Sequence, residues 1–267
     1  MRKFIKKLLP PLLIEWLNMV RPDYGWKGDY KSWEDAVTHS SGYDTANIFK
    51  TVASAMLAVK RGEAEYERDG VLFDKMEYSW QLVSAIFIAS SASKKNSVTV
   101  LDFGGGLGSS FYQNRKFLAM LNGVKWAVLE QKDFVRIGKE QFEDEHLKFY
   151  ESLDDACTEN KPDLLVLASV LQYLENPYDV LTSLLDNGIK FVIVDRTIVR
   201  QDVSDRICIQ KVPGKIYKAS YPCRIFSEKN LLDFFESKNY KLLEKYDSLG
   251  WRTSEFEFNG YIFWSGT

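Results

Sequence analysis

Cysteine and histidine are scarce in this chain of 267 residues, and their scarcity excludes several kinds of site. The three cysteines, Cys157, Cys208 and Cys223, lie far apart and form no C-x-x-C pair, so the sequence predicts neither a disulfide framework nor a zinc knuckle. The two histidines add no cluster of metal ligands, and we expect no bound metal. This use of cysteine suits a reducing compartment such as the cytoplasm.

Net charge is also nearly absent, because 35 basic residues stand against 37 acidic ones. A formal charge of -2 and a pI near 5.9 supply none of the basic field that contacts with a phosphate backbone require. The sequence therefore argues against nucleic acid as a partner.

The chain lacks a long uninterrupted apolar run as well. Residues 8–20 are mostly apolar and follow four basic residues, but Pro10, Pro11 and Glu15 break the run. The run is too short to span a bilayer, and no small-residue cleavage site follows it. Two interpretations fit residues 1–20: a helix that packs on its own domain or on a partner, or a basic segment that lies on an anionic membrane surface. The expected location is the cytoplasm, with the inner membrane surface as the alternative.

Length and patterning predict one large α/β domain with an N-terminal appendage. Residues 21–43 are rich in aromatic residues and glycine, and they predict a packed irregular segment. Apolar residues at three- and four-residue spacing then predict two helices, over residues 44–62 and 78–92. A polar run at residues 93–97 marks the boundary between the appendage and the α/β domain, which we call the seam. We therefore expect a helical appendage over residues 1–96 and a second domain over residues 97–267.

After the seam, short apolar runs alternate with helix-length stretches. The runs are residues 98–103, 124–129, 147–150, 164–168 and 191–194. Such continuous apolar strands, separated by helices such as residues 177–185, predict a parallel sheet covered on both faces. A helix opened by Ser227 then precedes two strand candidates, residues 241–248 and 255–264, with no helix between them. The predicted fold class is a doubly wound, Rossmann-like α/β fold with a mostly parallel sheet and a C-terminal antiparallel hairpin.

The sharpest local motif is a glycine-rich turn at residues 102–110, D-F-G-G-G-L-G-S-S, where a buried strand passes into a helix. Glycine lets the backbone approach a ligand closely, because no Cβ intervenes and positive φ costs little. Ligands of open α/β sheets bind at the carboxyl ends of the strands. A tight turn without a ligand would use similar glycines, so the neighbouring strand has to decide between the two interpretations.

Glu130 follows the second strand of the same unit. An acid at that position accepts hydrogen bonds from both hydroxyls of a nucleoside ribose. The alternative is a surface glutamate at a helix N-terminus, where acids are favoured in any case. Together with the turn, Glu130 indicates a nucleoside-containing cofactor. A nicotinamide dinucleotide fits less well, because Ser109 stands where the pattern G-x-G-x-x-G needs its third glycine.

The turn, the acid after the second strand and the C-terminal strand pair together resemble class I S-adenosylmethionine-dependent methyltransferases, from about residue 98 to the C-terminus. The resemblance implies S-adenosylmethionine as the cofactor, with Glu130 and its neighbour Gln131 at the ribose. It also implies that the turn surrounds the methionine part of the cofactor. The residues concerned are Asp102, Phe103, Gly104, Gly105, Gly106 and Gly108.

Two further segments extend this resemblance. Residues 168–174, A-S-V-L-Q-Y-L, are similar to the family's stretch beside the cofactor, which implies contacts from Ser169 and Val170. The family often holds the adenine amine with an acid after the third strand. At that point this chain offers Glu151 or Ser152, and both alternatives stay open.

Three segments before the seam resemble a bacterial methyltransferase family associated with surface-polysaccharide synthesis. They are W-K-G-D-Y-K-S-W-E-D-A at residues 26–36, G-Y-D at residues 42–44 and Y-E-R-D at residues 66–69. The resemblance implies a small polar acceptor, with a sugar or a polysaccharide precursor as the leading class. The tryptophan and tyrosine residues of these segments fit core packing as well as carbohydrate stacking.

Catalytic residues stay unassigned, because no residue stands out as the general base that a sugar hydroxyl would need. The candidates on the acceptor side are Tyr173, Asp195, Arg196 and His39. For Asp195 and Arg196, which follow the fifth strand, a structural ion pair fits equally well. Arg68 has two interpretations: a contact to the cofactor carboxylate, or a local ion pair with Glu67 or Asp69. Two other functions fit the pattern, a nicotinamide-dependent oxidoreductase and a non-catalytic nucleoside-binding scaffold.

Overall fold

The structure is a computed structural model that describes residues 24–41, 45–92, 96–213, 219–250, 253 and 255–266. Among these residues no helix has the length and apolar character needed to cross a membrane. The expectations for residues 1–20 and for the G-Y-D segment at residues 42–44 lie outside the described residues.

Twelve strands, in a large sheet and a separate hairpin, make up the β-structure of the described residues. They are β1 (Gly25–Tyr30), β2 (Tyr66–Arg68), β3 (Val71–Phe73), β4 (Ser97–Phe103), β5 (Gly123–Leu129), β6 (Leu147–Tyr150), β7 (Leu164–Ala168), β8 (Phe191–Arg200), β9 (Arg206–Lys211), β10 (Ser220–Ser227), β11 (Lys241–Asp247) and β12 (Glu257–Trp264). Strands β2 and β3 form the hairpin, and the other ten strands form the sheet.

The sheet has the order β1-β9-β10-β8-β7-β4-β5-β6, with β12 beside β8 and β11 beside β12. Its five central strands, β6, β5, β4, β7 and β8, are parallel. Strand β12 is antiparallel to β8, and β11 is antiparallel to β12. This topology confirms the predicted fold class, including the C-terminal antiparallel hairpin. Strand β8 continues to Arg200, past the predicted end at residue 194.

The central strands are apolar along their length because both faces of the sheet are covered. Val100 packs into one core cluster with Trp126, whereas its neighbour Leu101 packs into a second cluster with Ala127. Successive side chains of a strand point to opposite faces, so the two clusters lie on opposite sides of the sheet. Each fully buried leucine, such as Leu165, contributes about 1.5–3 kcal/mol relative to an exposed one.

Eight α-helices and one 3₁₀ turn accompany the strands in the described residues. They are α1 (Trp33–Thr38), α2 (Thr45–Lys60), α3 (Trp80–Ala92), α4 (Ser109–Leu118), α5 (Lys132–Gln141), α6 (Leu153–Asn160), the 3₁₀ turn (Leu171–Tyr173), α7 (Pro177–Leu185) and α8 (Glu228–Ser237). Helix α7 begins at Pro177, as predicted, and the Ser227 Oγ accepts the Asn230 N–H at 3.3 Å to cap α8.

Three antiparallel strands, β1, β9 and β10, form what we call the wall. Tyr30 of β1 pairs with Ile207 of β9, and β10 joins the parallel core where Phe226 pairs with Val199 of β8. The prediction of an irregular segment over residues 21–43 is therefore wrong for its described part, which forms β1 and α1. The physical reason is that β9 offers an unpaired edge, and residues 25–30 satisfy its backbone groups.

Helix α2 lies across the carboxyl ends of the central strands. At one end, Phe49 packs edge-on against Phe134 in the first turn of α5, with 5.1 Å between ring centroids. In the middle, the Met56 Sδ lies 3.4 Å from the Oγ of Ser109, the first residue of α4. Val52 packs with Tyr173 against the wall. Since α4, α5 and the 3₁₀ turn all begin after carboxyl ends of strands, α2 bridges that edge of the sheet.

Candidate functional site

The first seven residues of the glycine-rich motif, 102–108, are called the glycine turn from here on, and they lie between the ends of β4 and β5. The Gly104 N–H donates to the Leu129 carbonyl at 3.0 Å, and Gly104 has a φ of 71°. A Cβ on Gly104 would stand 2.5 Å from Cγ2 of Val170, so only glycine lets these two segments approach. Gly106 also has a positive φ, 58°, but a Cβ there would meet nothing within 4 Å. The backbone at Gly106 therefore borders open space in which a ligand can lie.

Asp102 is buried at the carboxyl end of β4, with 1% of its surface exposed. The indole Nε1–H of Trp126 donates to its Oδ2 at 3.0 Å. Burial raises the pKa of Asp102 from 3.8 to about 7, although the Trp126 hydrogen bond and the charge of Arg196 act in the opposite direction. A buried carboxyl of this kind favours a cation beside the turn, because a cation would stabilise its ionised form.

Glu130 stands at the carboxyl end of β5, next to the glycine turn. Its Oε2 accepts the Gln131 N–H at 2.6 Å. Burial raises the pKa of Glu130, and the backbone N–H groups of Gln131 and Gly106 lower it. The influence of Gly106 on this carboxyl shows that the two predicted cofactor contacts are close to each other. Gln131 itself is exposed, and Phe103 is partly buried at the end of β4.

The segment after β7, which contains Ser169 and Val170, also lies beside the glycine turn. Val170 lies directly against Gly104, where its side chain fills the space that a Cβ would need, and Ser169 has a left-handed φ of 59°. The Ser169 N–H donates to the Asp195 carbonyl at 2.8 Å. The Nε2 of the buried Gln172 donates to Ser169 Oγ at 3.1 Å and so holds this turn. Ser169 and Val170 are thus beside the glycine turn.

Asp195 and Arg196 form a β-bulge in β8. Thr197 pairs with Asn259 and Val194 pairs with Tyr261, so Asp195 and Arg196 together oppose the single residue Gly260. Arg196 has a φ of 51°.

The bulge holds a polar cluster. The Asp195 Oδ1 accepts the Tyr246 hydroxyl at 3.1 Å, and its Oδ2 lies 3.3 Å from the Arg196 Nη1. The ion pair that was one interpretation of Asp195 and Arg196 is present. The positive charge of Arg196 also lowers the pKa of Asp102, the first residue of the glycine turn.

Tyr173 belongs to the acceptor side of the same edge. Its ring packs edge-on against Tyr221 of the wall at 5.4 Å, and its hydroxyl donates to Gln210 Oε1 at 2.9 Å. His39 lies elsewhere, exposed at the end of α1, where its Nδ1 is 2.8 Å from the Asp35 carbonyl oxygen. Tyr173 therefore lies in the segment that borders the glycine turn, whereas His39 packs against Tyr30 of the wall, with 5.5 Å between ring centroids.

Ser152 caps a helix, since its Oγ accepts the Asp155 N–H of α6 at 3.3 Å. The alternative residue, Glu151, is exposed at the end of β6. Both follow the strand next to β5, and the choice between them as the adenine contact stays a prediction.

Glu67 of β2 is the site residue that the sequence patterns did not reveal. It is buried, with 5% of its surface exposed, and it accepts hydrogen bonds from the Ser109 hydroxyl and, at 2.9 Å, from the Gly70 N–H. Burial raises the pKa of Glu67, and the Ser109 hydrogen bond lowers it. The Y-E-R-D segment was the part of the sequence that could have revealed Glu67. The sequence analysis considered its arginine as the cofactor contact instead.

Arg68, that arginine, forms an ion pair with neither of the predicted partners. Its Nη2 lies 2.9 Å from Oε2 of Glu77, and its guanidinium lies over the rings of Tyr66 and Phe73 at 5.7 and 5.4 Å. Glu67 cannot serve as its partner, because the Glu67 carboxylate turns inward to Ser109. The described residues hold no group of three His, Cys, Asp or Glu side chains suited to a metal ion.

No family model matches the sequence, and no curated protein matches it. Among solved structures, an S-adenosylmethionine-dependent methyltransferase from Clostridium acetobutylicum is 11% identical with a TM-score of 0.46, over 84% of this chain and 100% of that one. The 1,6-didemethyltoxoflavin-N1-methyltransferase of Burkholderia thailandensis, with bound 1,6-didemethyltoxoflavin and S-adenosylhomocysteine, is 12% identical with a TM-score of 0.40, over 84% and 91%. Magnesium protoporphyrin IX methyltransferase from Synechocystis PCC 6803, with bound S-adenosylmethionine, is 12% identical with a TM-score of 0.45, over 85% and 99%. At this level of similarity, function has to be argued from the chain's own residues.

Proposed function

We propose that this chain is an S-adenosylmethionine-dependent methyltransferase. The observation that carries the proposal is the position of Glu130, an acid at the carboxyl end of β5. The Gly106 N–H of the neighbouring turn lowers the pKa of its carboxyl group. Open space borders Gly106 on the ligand side. An acid that binds ribose next to a glycine turn without a pyrophosphate pattern suits a nucleoside joined to an amino acid.

The cofactor contacts divide into two groups. We assign the nucleoside part to Glu130, Gln131 and either Ser152 or Glu151, and the methionine part to Asp102 and the glycines of the turn. Phe103, Ser169 and Val170 border the same space. When bound, the cofactor supplies a methyl group on a positively charged sulfur, and the protein has to align the acceptor and exclude water. Helix α2 and the 3₁₀ turn would exclude water from the space beside the glycine turn.

We propose a small polar acceptor, with a sugar or a surface-polysaccharide precursor as the leading class. The support is the resemblance of the N-terminal segments, together with the position of Tyr173, Asp195 and Arg196 at the edge beside the turn. Of the residues before 97, helix α2 would then act as a lid, held in place where its Val52 packs on the wall. We also propose a cytoplasmic location, for which the cysteine pattern of the sequence, without a C-x-x-C pair, is the support.

Calorimetric titration tests the cofactor. We expect S-adenosylmethionine and S-adenosylhomocysteine to bind, and nicotinamide dinucleotides not to bind. Glu130→Ala removes hydrogen bonds to a charged acceptor, each worth about 1.5–3 kcal/mol, so binding should weaken by roughly tenfold to a hundredfold. Glu140→Ala is the matched control, because Glu140 is an exposed glutamate on the next helix, paired with Arg136.

Three results would contradict the proposal in different ways. Tight binding of a dinucleotide would favour the oxidoreductase. Equal affinity of wild type and Glu130→Ala for S-adenosylmethionine would remove the ribose role. Binding without release of S-adenosylhomocysteine across a panel of sugars and nucleotide sugars would favour the non-catalytic scaffold.

A further inference from the structure

Four acidic side chains are buried among the described residues. Two of them form ion pairs, and two do not. Asp195 lies 3.3 Å from Arg196, and Glu228 lies 2.5 Å from the Nζ of Lys245. Asp102 and Glu67 are the other two, and within the described residues neither has a cation within 4 Å. Both have neutral hydrogen-bond donors instead, the Trp126 indole for Asp102 and Ser109 and Gly70 for Glu67.

The two acids without an ion pair lie at the two ends of the glycine turn. Asp102 opens the turn, and its carboxyl would be 2.5 Å from a Cβ on Gly105. Glu67 contacts Ser109, the residue that immediately follows the turn. The positive charge of Arg196 lowers the pKa of both acids, but Arg196 already forms an ion pair with Asp195. The surroundings of the turn are therefore short of positive charge.

A buried carboxylate without a cation is costly, and burial raises the pKa of both groups as a consequence. A ligand that brings an ammonium group would remove this cost. The ammonium is compact and offers three N–H donors, which suits two carboxylates that approach from different sides.

We infer that Glu67, from the N-terminal part of the chain, binds the ammonium group of the cofactor's methionine part together with Asp102. The inference rests on the proposed function and adds to it a contact from outside the central sheet. Strand β2, which carries Glu67, packs on α2 and α4, so cofactor binding and the position of α2 become linked through this residue.

The test is a thermodynamic cycle in the full-length protein. Its ligands are S-adenosylhomocysteine and the analogue that lacks only the amino group, and its variants are wild type and Glu67→Gln. Wild type should bind the complete ligand more tightly than the analogue. In Glu67→Gln this preference should fall by about tenfold or more, while the affinity for the analogue stays within about twofold. Glutamine keeps one oxygen to accept the Gly70 N–H, and its NH2 group can donate to the Ser109 hydroxyl oxygen, so both contacts of residue 67 can be retained.

Glu65→Gln is the matched control, because Glu65 is an exposed glutamate two residues away. It should leave the preference unchanged. Should Glu67→Gln fail to fold, Glu67→Asp keeps the charge but withdraws it by one methylene group, and a smaller loss of the same selectivity is expected.

Equal weakening of both ligands in the Glu67 variants would overturn the inference, because it would show a purely structural role. An unchanged preference would overturn it as well. Failure of wild type to bind S-adenosylhomocysteine would instead contradict the proposed function itself.

Discussion

Asp102 is the residue through which pH acts most directly on this site. Because its carboxyl has a pKa of about 7 in the fold against 3.8 ordinarily, the folded protein binds a proton more tightly than the unfolded chain does. The free energy of unfolding should therefore fall as pH rises from about 4 to about 7, and should level off above that range. At about 1.4 kcal/mol for each pKa unit, the contribution of Asp102 is on the order of 4 kcal/mol.

Asp102→Asn removes this titration and keeps a carbonyl oxygen for the Trp126 indole. We expect the variant to gain stability relative to wild type as pH rises through the same window, with a constant advantage above about pH 7. Urea unfolding of both ligand-free proteins across the pH range measures the difference. Other titrating groups are common to both proteins and cancel. A difference that does not change with pH would show that Asp102 is ionised in the fold throughout.

At the scale of elements, the bulge in β8 depends on Gly260 of the opposing strand. A Cβ at Gly260 would stand 2.1 Å from the Tyr246 Cζ, so the tyrosine ring lies directly across this glycine. That position lets the Tyr246 hydroxyl reach Asp195 from β11, across β12. The bulge, the glycine and the tyrosine therefore act as one unit that aims Asp195 and Arg196 at the ligand edge.

Gly260→Ala should displace Tyr246 and cost about 1–3 kcal/mol of stability, because the added methyl group enters a filled space. Gly123→Ala is the control, since its Cβ would lie 3.5 Å from Ser97, an ordinary contact. Chemical denaturation measures both variants. Combining Gly260→Ala with Tyr246→Ala should give a total loss well below the sum of the two single losses. Additive losses would show that the ring and the glycine are independent.

The elements that the sequence predicted correctly share one physical property. Strands β4 to β7 are buried on both faces, so their apolar character is continuous and local, and their bounds were predicted to within one residue. The carboxyl end of β8 was predicted to stop at residue 194, because the bulge places the polar pair Asp195 and Arg196 inside the strand. A polar residue within a strand gives no local sign that the strand continues.

The wall and Glu67 were missed for a different reason. Strand β1 is stabilised by β9, whose Arg206 donates to a carbonyl 178 residues away, and such pairing leaves no periodicity in either segment. Glu67 is buried because α2 and α4 close over a short hairpin, and nothing in the hairpin itself distinguishes a buried acid from an exposed one. The glycine turn and Glu130 were found because their spacing along the chain is itself the signal.

At the scale of the whole molecule, α2 connects the α5 side of the carboxyl edge to the wall through Phe49 and Val52. If the cofactor lies under α2, binding should slow amide hydrogen exchange in α2 and in the β2–β3 hairpin. Helix α8, which packs against β10 and β11, should keep its exchange rates and serves as the internal reference. Mass spectrometry with and without S-adenosylhomocysteine measures both. Protection confined to residues 102–108 would contradict a linked lid.

The pairing of β1 with β9 limits how early the large sheet can be completed during synthesis of the protein. On the ribosome, β1 emerges long before its partner, and the Arg206 contact to Gly28 has to wait for 178 further residues. At about 5–20 residues per second, that delay is roughly 10–35 s. Throughout it, residues 25–30 offer unpaired backbone groups to any neighbouring strand. Until β9 is made, β1 therefore lacks the strand that pairs with it, and a chain that stops before β9 never forms this part of the sheet.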